Sequence, residues 1–284
     1  MSLRSADVSV SGREEEERDV SERENDQVEV PGLEFSGERI IPGKVPEDME
    51  LMHRRLYEFA LQYVEGKRVV DVGCGEGYGS AMLAGRATSV VGVDISEEAV
   101  AHAAAKYSLE NVEFRCAPAE RLSLPDASFD VLVCLEVIEH ARDYVAAVEE
   151  MRRVLHPEGT LILSTPNKNV TSPRRPMPLN IYHLHEFTIR EARGLLRRYF
   201  SEVEFFSQRD PYARSRKVIW KVIALDLAFL RRVFPICVRD RVKWRMREAL
   251  GETIGEEPEP ERWRVVKGAG RYSRTIVAVC RKRK

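Results

Sequence analysis

Cysteine is scarce in this chain of 284 residues, and the five present (Cys74, Cys116, Cys134, Cys237 and Cys280) are unevenly spaced. None forms a CxxC pair or stands at Cys/His ligand spacing, so no disulfide framework and no metal site is read from spacing. A reducing, cytoplasmic setting is expected. The first thirty residues lack an apolar signal core, so secretion is not expected. Long uninterrupted apolar runs are missing too. The most apolar stretch, 218–238, is about the length of a membrane span, but Lys221, Asp226, Arg231 and Arg232 fall inside it and argue against a transmembrane segment. There is no internal repeat and no recognised nucleic-acid motif.

Net charge is nearly absent as well, at −1. That sum conceals a gradient: residues 1–38 carry −8, residues 39–208 carry −5 and residues 209–284 carry +12. With 43% hydrophobic residues the chain can bury a real core, whereas 1–34, with a run of four glutamates, reads as a disordered acidic N-terminus. Residues 35–65 form an N-terminal cap and a first helix, 66–208 the central domain, 209–273 a basic, Trp-containing helical insertion or lid, and 274–284 a last strand and basic tail. The insertion reads either as a solvated helix face or as a surface for phosphate, a lipid-linked glycan or a membrane interface.

Across the central domain, strand and helix patterns alternate. Apolar runs at 67–72, 89–93, 112–116, 129–135 and 160–164, with later ones at 203–207 and 275–280, predict strands buried on both faces. Helical spacing is read at 47–64, 77–84, 97–107, 143–155 and 189–199. This predicts an α/β, Rossmann-like, doubly wound, mostly parallel seven-stranded sheet with helices on both faces and a helical insertion before the last strand.

The most informative run is Val69-Val70-Asp71-Val72-Gly73-Cys74-Gly75-Glu76-Gly77-Tyr78-Gly79, a buried strand passing through a glycine-rich turn into a helix. Such a turn lets a nucleotide-sized ligand lie directly on the backbone. The dinucleotide fingerprint GxGxxG is not met, because Tyr78 stands where its third glycine is required, which counts against NAD and FAD. Asp94, at the end of the second strand, is placed to accept hydrogen bonds from ribose hydroxyls.

The runs DVGCGEGYG, VVGVDIS, PDASFD, EVIEH, RVLHPEG and STPN, in this order, resemble class I S-adenosylmethionine-dependent methyltransferases, and within them the type 11 group acting on small molecules and glycans. The resemblance implies S-adenosylmethionine as cofactor. By it, Gly73, Gly75 and Gly77 approach the methionine part, with Cys74 in the same turn; Asp71 lies beneath near the amino group, and Asp94 with Ile95 holds the ribose end. Pro118 stands where many relatives have an adenine-binding Asp, so Ala119 and Glu120 are expected at the adenine. Tyr78 and Glu136 are also expected at the crevice, the first alternatively packing on the sheet and the second alternatively orienting a loop.

Methyl transfer to oxygen calls for a base, and His140 and His183 are the candidates, each alternatively a capping or packing residue. His53 and His185 read as surface or packing residues. The expected function is methyl transfer to an oxygen, less readily a nitrogen, of a small molecule, sugar or glycan. The alternatives are an RNA or protein methyltransferase using the basic insertion, and a non-catalytic cofactor-binding regulator.

Overall fold

The structure is a computed structural model and describes Leu33 and residues 39–208, 262–270 and 273–282. Apart from Leu33, which is buried, the expected disordered N-terminus lies outside the described residues, as do most of the insertion and with it Trp220, Trp244, Cys237 and the Arg-rich run 239–247.

The elements follow in the order α1 (Glu47–Ala60), β1 (Arg68–Val72), α2 (Tyr78–Ala84), β2 (Ser89–Asp94), α3 (Glu97–Lys106), β3 (Val112–Cys116) and β4 (Phe129–Leu135). A 3-10 turn (Ile138–His140) leads to α4 (Tyr144–Val154), β5 (Leu155–Pro166), the short α5 (Lys168–Thr171), α6 (Ile189–Tyr199), β6 (Glu202–Gln208), β7 (Val265–Lys267) and β8 (Thr275–Arg281). The sheet order is β3-β2-β1-β4-β5-β8-β6-β7. The first five strands are parallel, and β8 lies antiparallel between β5 and β6. Among the described residues there are therefore eight strands where seven are expected. The addition, β7, pairs antiparallel with β6 (Phe206↔Lys267) inside the segment read as insertion. Three residues are too few for a period-two pattern to register.

Alternation along each strand sorts the core into two faces. Val70, Leu132, Leu161 and Ala278 join α4 and α6 on one face. Val69, Val131, Ile162 and Val277 join α1 and α2 on the other. Capping explains several helix starts: Ser96 accepts from the Ala99 N–H, Asp143 from those of Val145 and Ala146, and Thr188 with Glu191 closes a reciprocal capping box. Because β1 is flanked by β2 on one side and β4 on the other, strand order reverses there. The crevice outside the carboxyl ends of β1, β2 and β4 is where open α/β sheets bind ligands.

Candidate active site

The glycine turn after β1 is held from below and open above. The N–H groups of Gly73 and Cys74 both donate to the Val93 carbonyl, at 2.7 and 3.0 Å. Gly73, at φ +75°, has Val137 against it: a Cβ there would stand 2.2 Å from Cγ2 of Val137. Gly75, at φ +55°, faces only the Arg39 side chain, 3.4 Å from where its Cβ would be. The space beside Gly77 is filled by Ala103, Tyr107 and Phe114, so this glycine serves close packing of the turn on α3 and β3. The Cys74 thiol is buried, and burial pushes its pKa well up.

Asp94 reaches across the turn. One carboxylate oxygen accepts from the Gly75 N–H and the other from the Ser96 N–H, both at 2.9 Å. A carboxylate fixed by backbone in this way keeps further lone pairs for hydroxyl donors. Ile95 beside it is 73% exposed, an apolar face at the same edge. Ala119 is half-buried against the core, and Glu120 accepts from the N–H groups of Arg142 and Asp143, which ties the third-strand loop to the start of α4.

Beneath the turn, Asp71 is fully buried and accepts hydrogen bonds from Ser80 Oγ (2.7 Å) and Tyr57 Oη (3.2 Å). Burial pushes its pKa up to about 7 against the pull of those two donors. Tyr78 packs edge-on to Tyr57 and shares a 2.5 Å hydrogen bond with His53 Nδ1. Burial lowers the His53 pKa to about 4. Tyr78 and His53 thus form a packed group linking α1 to the turn.

Two contacts here carry no signal in the sequence. Glu76, within the glycine run, is buried and accepts from Lys106 Nζ (2.5 Å) and Tyr107 Oη (2.9 Å), with His102 at 3.4 Å, which clamps the turn to α3. Tyr57 fills the space beside Gly79, where a Cβ would meet its ring at 2.0 Å. A periodic pattern shows that such residues face inward but not whom they meet.

At the ends of β4 and β5 the two candidate bases come together. Glu136 leaves β4 at φ +56°, uncommon for a side-chain-bearing residue, with its carboxylate accepting from Ser164 Oγ at 2.7 Å. Burial raises its pKa, opposed by that hydrogen bond and by the charges of His183 and Arg274. The His140 and His183 rings meet edge to face, centroids 5.0 Å apart. His140 Nδ1 donates to the Tyr182 carbonyl at 3.1 Å. Nδ1 of His183 faces Glu186 and its Nε2 faces Asn180 Nδ2, each at 2.9 Å. Glu186, three residues on, was not singled out from the sequence. His185 packs on Phe187 and Tyr144.

A family model for a methyltransferase domain matches residues 70–163, the segment that builds this crevice. A probable S-adenosylmethionine-dependent methyltransferase of Mycolicibacterium smegmatis is 41% identical over 173 residues, which is 61% of this chain and 66% of that one. Residues 70–163 thus carry a methyltransferase domain, and the chain is similar to class I S-adenosylmethionine-dependent methyltransferases. A ubiquinone biosynthesis O-methyltransferase of Idiomarina loihiensis is 42% identical over 110 residues, covering 38% of this chain and 45% of that protein. The matched part is thus under two thirds of the length of these curated relatives. The fold agrees with a solved S-adenosylmethionine-dependent methyltransferase from Mesorhizobium loti, with TM-score 0.51 and 20% identity over 80% of this chain and 97% of that one.

The crevice fits the cofactor of these methyltransferases on its own geometry. Gly75 leaves the mouth of the turn open, Asp94 is fixed across it, and Ile95 offers an apolar face. Among the described residues no helix is long and apolar enough to cross a membrane.

Proposed function

We propose that this methyltransferase acts on an oxygen of a small molecule, sugar or glycan. The observation that carries the reading is the pairing of His140 with His183, rings 5.0 Å apart, at the strand ends adjoining the glycine turn. The likeness to an O-methyltransferase of ubiquinone biosynthesis supports oxygen over nitrogen.

When bound, S-adenosylmethionine supplies a methyl group already activated by a sulfonium charge. What remains for the chain is to align the acceptor, exclude water and take up the acceptor's proton. Asp94 would hold the ribose hydroxyls, the backbone around Gly73 and Gly75 would cradle the methionine part, and Asp71 would support the turn from beneath on the amino-group side. Ile95 would border the ribose end and Ala119 the adenine, while Glu120 serves chiefly to fix the loop. His140, its Nδ1 proton fixed on the Tyr182 carbonyl, has its neutral lone pair on Nε2 and accepts the proton in the ion-free protein. His183, between Glu186 and Asn180, orients this end of the crevice.

Calorimetry with S-adenosylmethionine tests the cofactor half. Asp94→Asn sets an amide N–H against a backbone N–H and should weaken binding about 10–100-fold, the worth of hydrogen bonds to a charged group. Transfer of labelled methyl to phenol, catechol and sugar panels tests the acceptor half. His140→Gln should lower turnover about 10²–10⁴-fold and remove the acid limb of the pH profile. Turnover of amines alone would overturn the oxygen reading, and cofactor binding without turnover on any acceptor would favour a regulatory protein.

A further inference from the structure

We propose that Glu139, His140 and His183 form a binding site for one divalent transition-metal ion at the acceptor end of the crevice. Sequence spacing gave no hint of it, because the third ligand comes from a different segment. One ligand atom from each of the three residues lies within 4.8 Å of the others. Ligands around an ion at about 2.0–2.2 Å stand roughly 3–4.4 Å apart, so side-chain rotations of a few tenths of an ångström bring them into contact with it.

The surroundings point the same way. Metal-bound histidines usually donate the other ring N–H to a carboxylate or carbonyl, which fixes the tautomer and turns the second nitrogen toward the ion. Both rings here have that arrangement: Nδ1 of His140 on the Tyr182 carbonyl at 3.1 Å, and Nδ1 of His183 on Glu186 at 2.9 Å. The carboxylate is oriented too. Glu139 is 1% exposed, and one of its oxygens accepts from Thr165 Oγ1 at 3.0 Å. Its backbone carbonyl accepts from the N–H groups of Leu184 and His185, which ties the 3-10 turn to the segment carrying His183. The Asn180 amide, 2.9 Å from His183 Nε2, is the group an ion displaces.

Two imidazoles and a carboxylate suit Zn²⁺, Mn²⁺, Fe²⁺ or Co²⁺ better than the all-oxygen preference of Mg²⁺ or Ca²⁺. Three protein ligands leave positions open for an acceptor oxygen, and a hydroxyl bound there releases its proton to water at a lower pH than in solution. The ion's role rests on the methyl-transfer reading; its binding does not. In the loaded protein His140 is a ligand instead of a proton acceptor.

The test is calorimetric titration of the metal-stripped full chain with Zn²⁺, paired with visible absorption of the Co²⁺ form. One equivalent should bind, with binding lost in Glu139→Gln and in His140→Gln. Glu186→Gln removes no ligand and should weaken the ion about 10–100-fold. Each variant is also titrated with S-adenosylmethionine, whose turn lies on β1 and β2. Retained cofactor affinity shows that a variant is folded, and should one variant lose it, Glu186→Gln and the Co²⁺ spectrum of the parent decide. Absence of stoichiometric binding by the parent overturns the proposal. So does Zn²⁺ affinity unchanged in both His140→Gln and His183→Gln. If the parent binds Zn²⁺ and not S-adenosylmethionine, the methyl-transfer reading falls while the ion site stands.

Discussion

Two glycines of one turn do different work. Gly73 and Gly75 both have positive φ, so an added Cβ costs each about 1–2 kcal/mol of backbone strain. Only Gly73 also has a neighbour in the way, Val137 at 2.2 Å, whereas Gly75 opens onto a flexible arginine. Gly73→Ala should therefore destabilise the protein by about 1–3 kcal/mol more than Gly75→Ala, the usual cost of overpacking. Urea denaturation measures the difference, and Val137→Ala added to Gly73→Ala should recover part of it. Gly75→Ala should keep the fold and weaken S-adenosylmethionine. Equal stability of the two variants would remove the distinction. The motif announced a turn; the contacts that separate its members, Val137 and Arg39, come from distant segments on either side of it.

At the scale of elements, the first helix is fastened from the far end of the chain. Trp263 is 1% exposed and donates its indole N–H to Asp48 at 2.7 Å, Arg262 pairs with the same carboxylate, and the Gln208 amide donates to the Met52 carbonyl. These contacts join α1 to β6 and β7, and α1 carries Tyr57 and His53 to the underside of the turn. Tryptophan in the segment 209–273 was read as part of a basic lid, but Trp263 is a core residue. Trp263→Ala should cost about 3–5 kcal/mol in urea unfolding and weaken S-adenosylmethionine by loosening α1. A loss below about 1 kcal/mol would mean the indole is not an anchor. The strands were legible in the sequence, since buried parallel strands are continuous apolar runs, and so were the capped helices. The strand β7 and the fastening of α1 were not, because both depend on pairings between distant segments.

For the whole molecule, an acid and a base that both touch Tyr57, each shifted by burial, oppose one another in their pH dependence. The folded pKa of Asp71 is raised from 3.8 to about 7, so its contribution to stability is present below about pH 4 and lost as pH rises through 7. That of His53 is lowered from 6.5 to about 4, so its contribution is present above 6.5 and lost as pH falls through 4. Relative to the parent, Asp71→Asn should gain stability as pH rises from 4 to 7. His53→Gln should gain it as pH falls from 6.5 to 4. Urea midpoints across that range decide the signs, and a flat difference for either variant would deny its burial effect. The sequence by itself determined the alternation of strands and helices, the glycine turn, the acid across from it and the family they resemble, because these are local patterns of chain and spacing. Tertiary structure alone decided that His140 meets His183, that Glu186 and Thr165 orient the group, that Asp71 is buried beneath Tyr57, and that Trp263 lies in the core. Such contacts join residues whose separation along the chain carries no periodic signal.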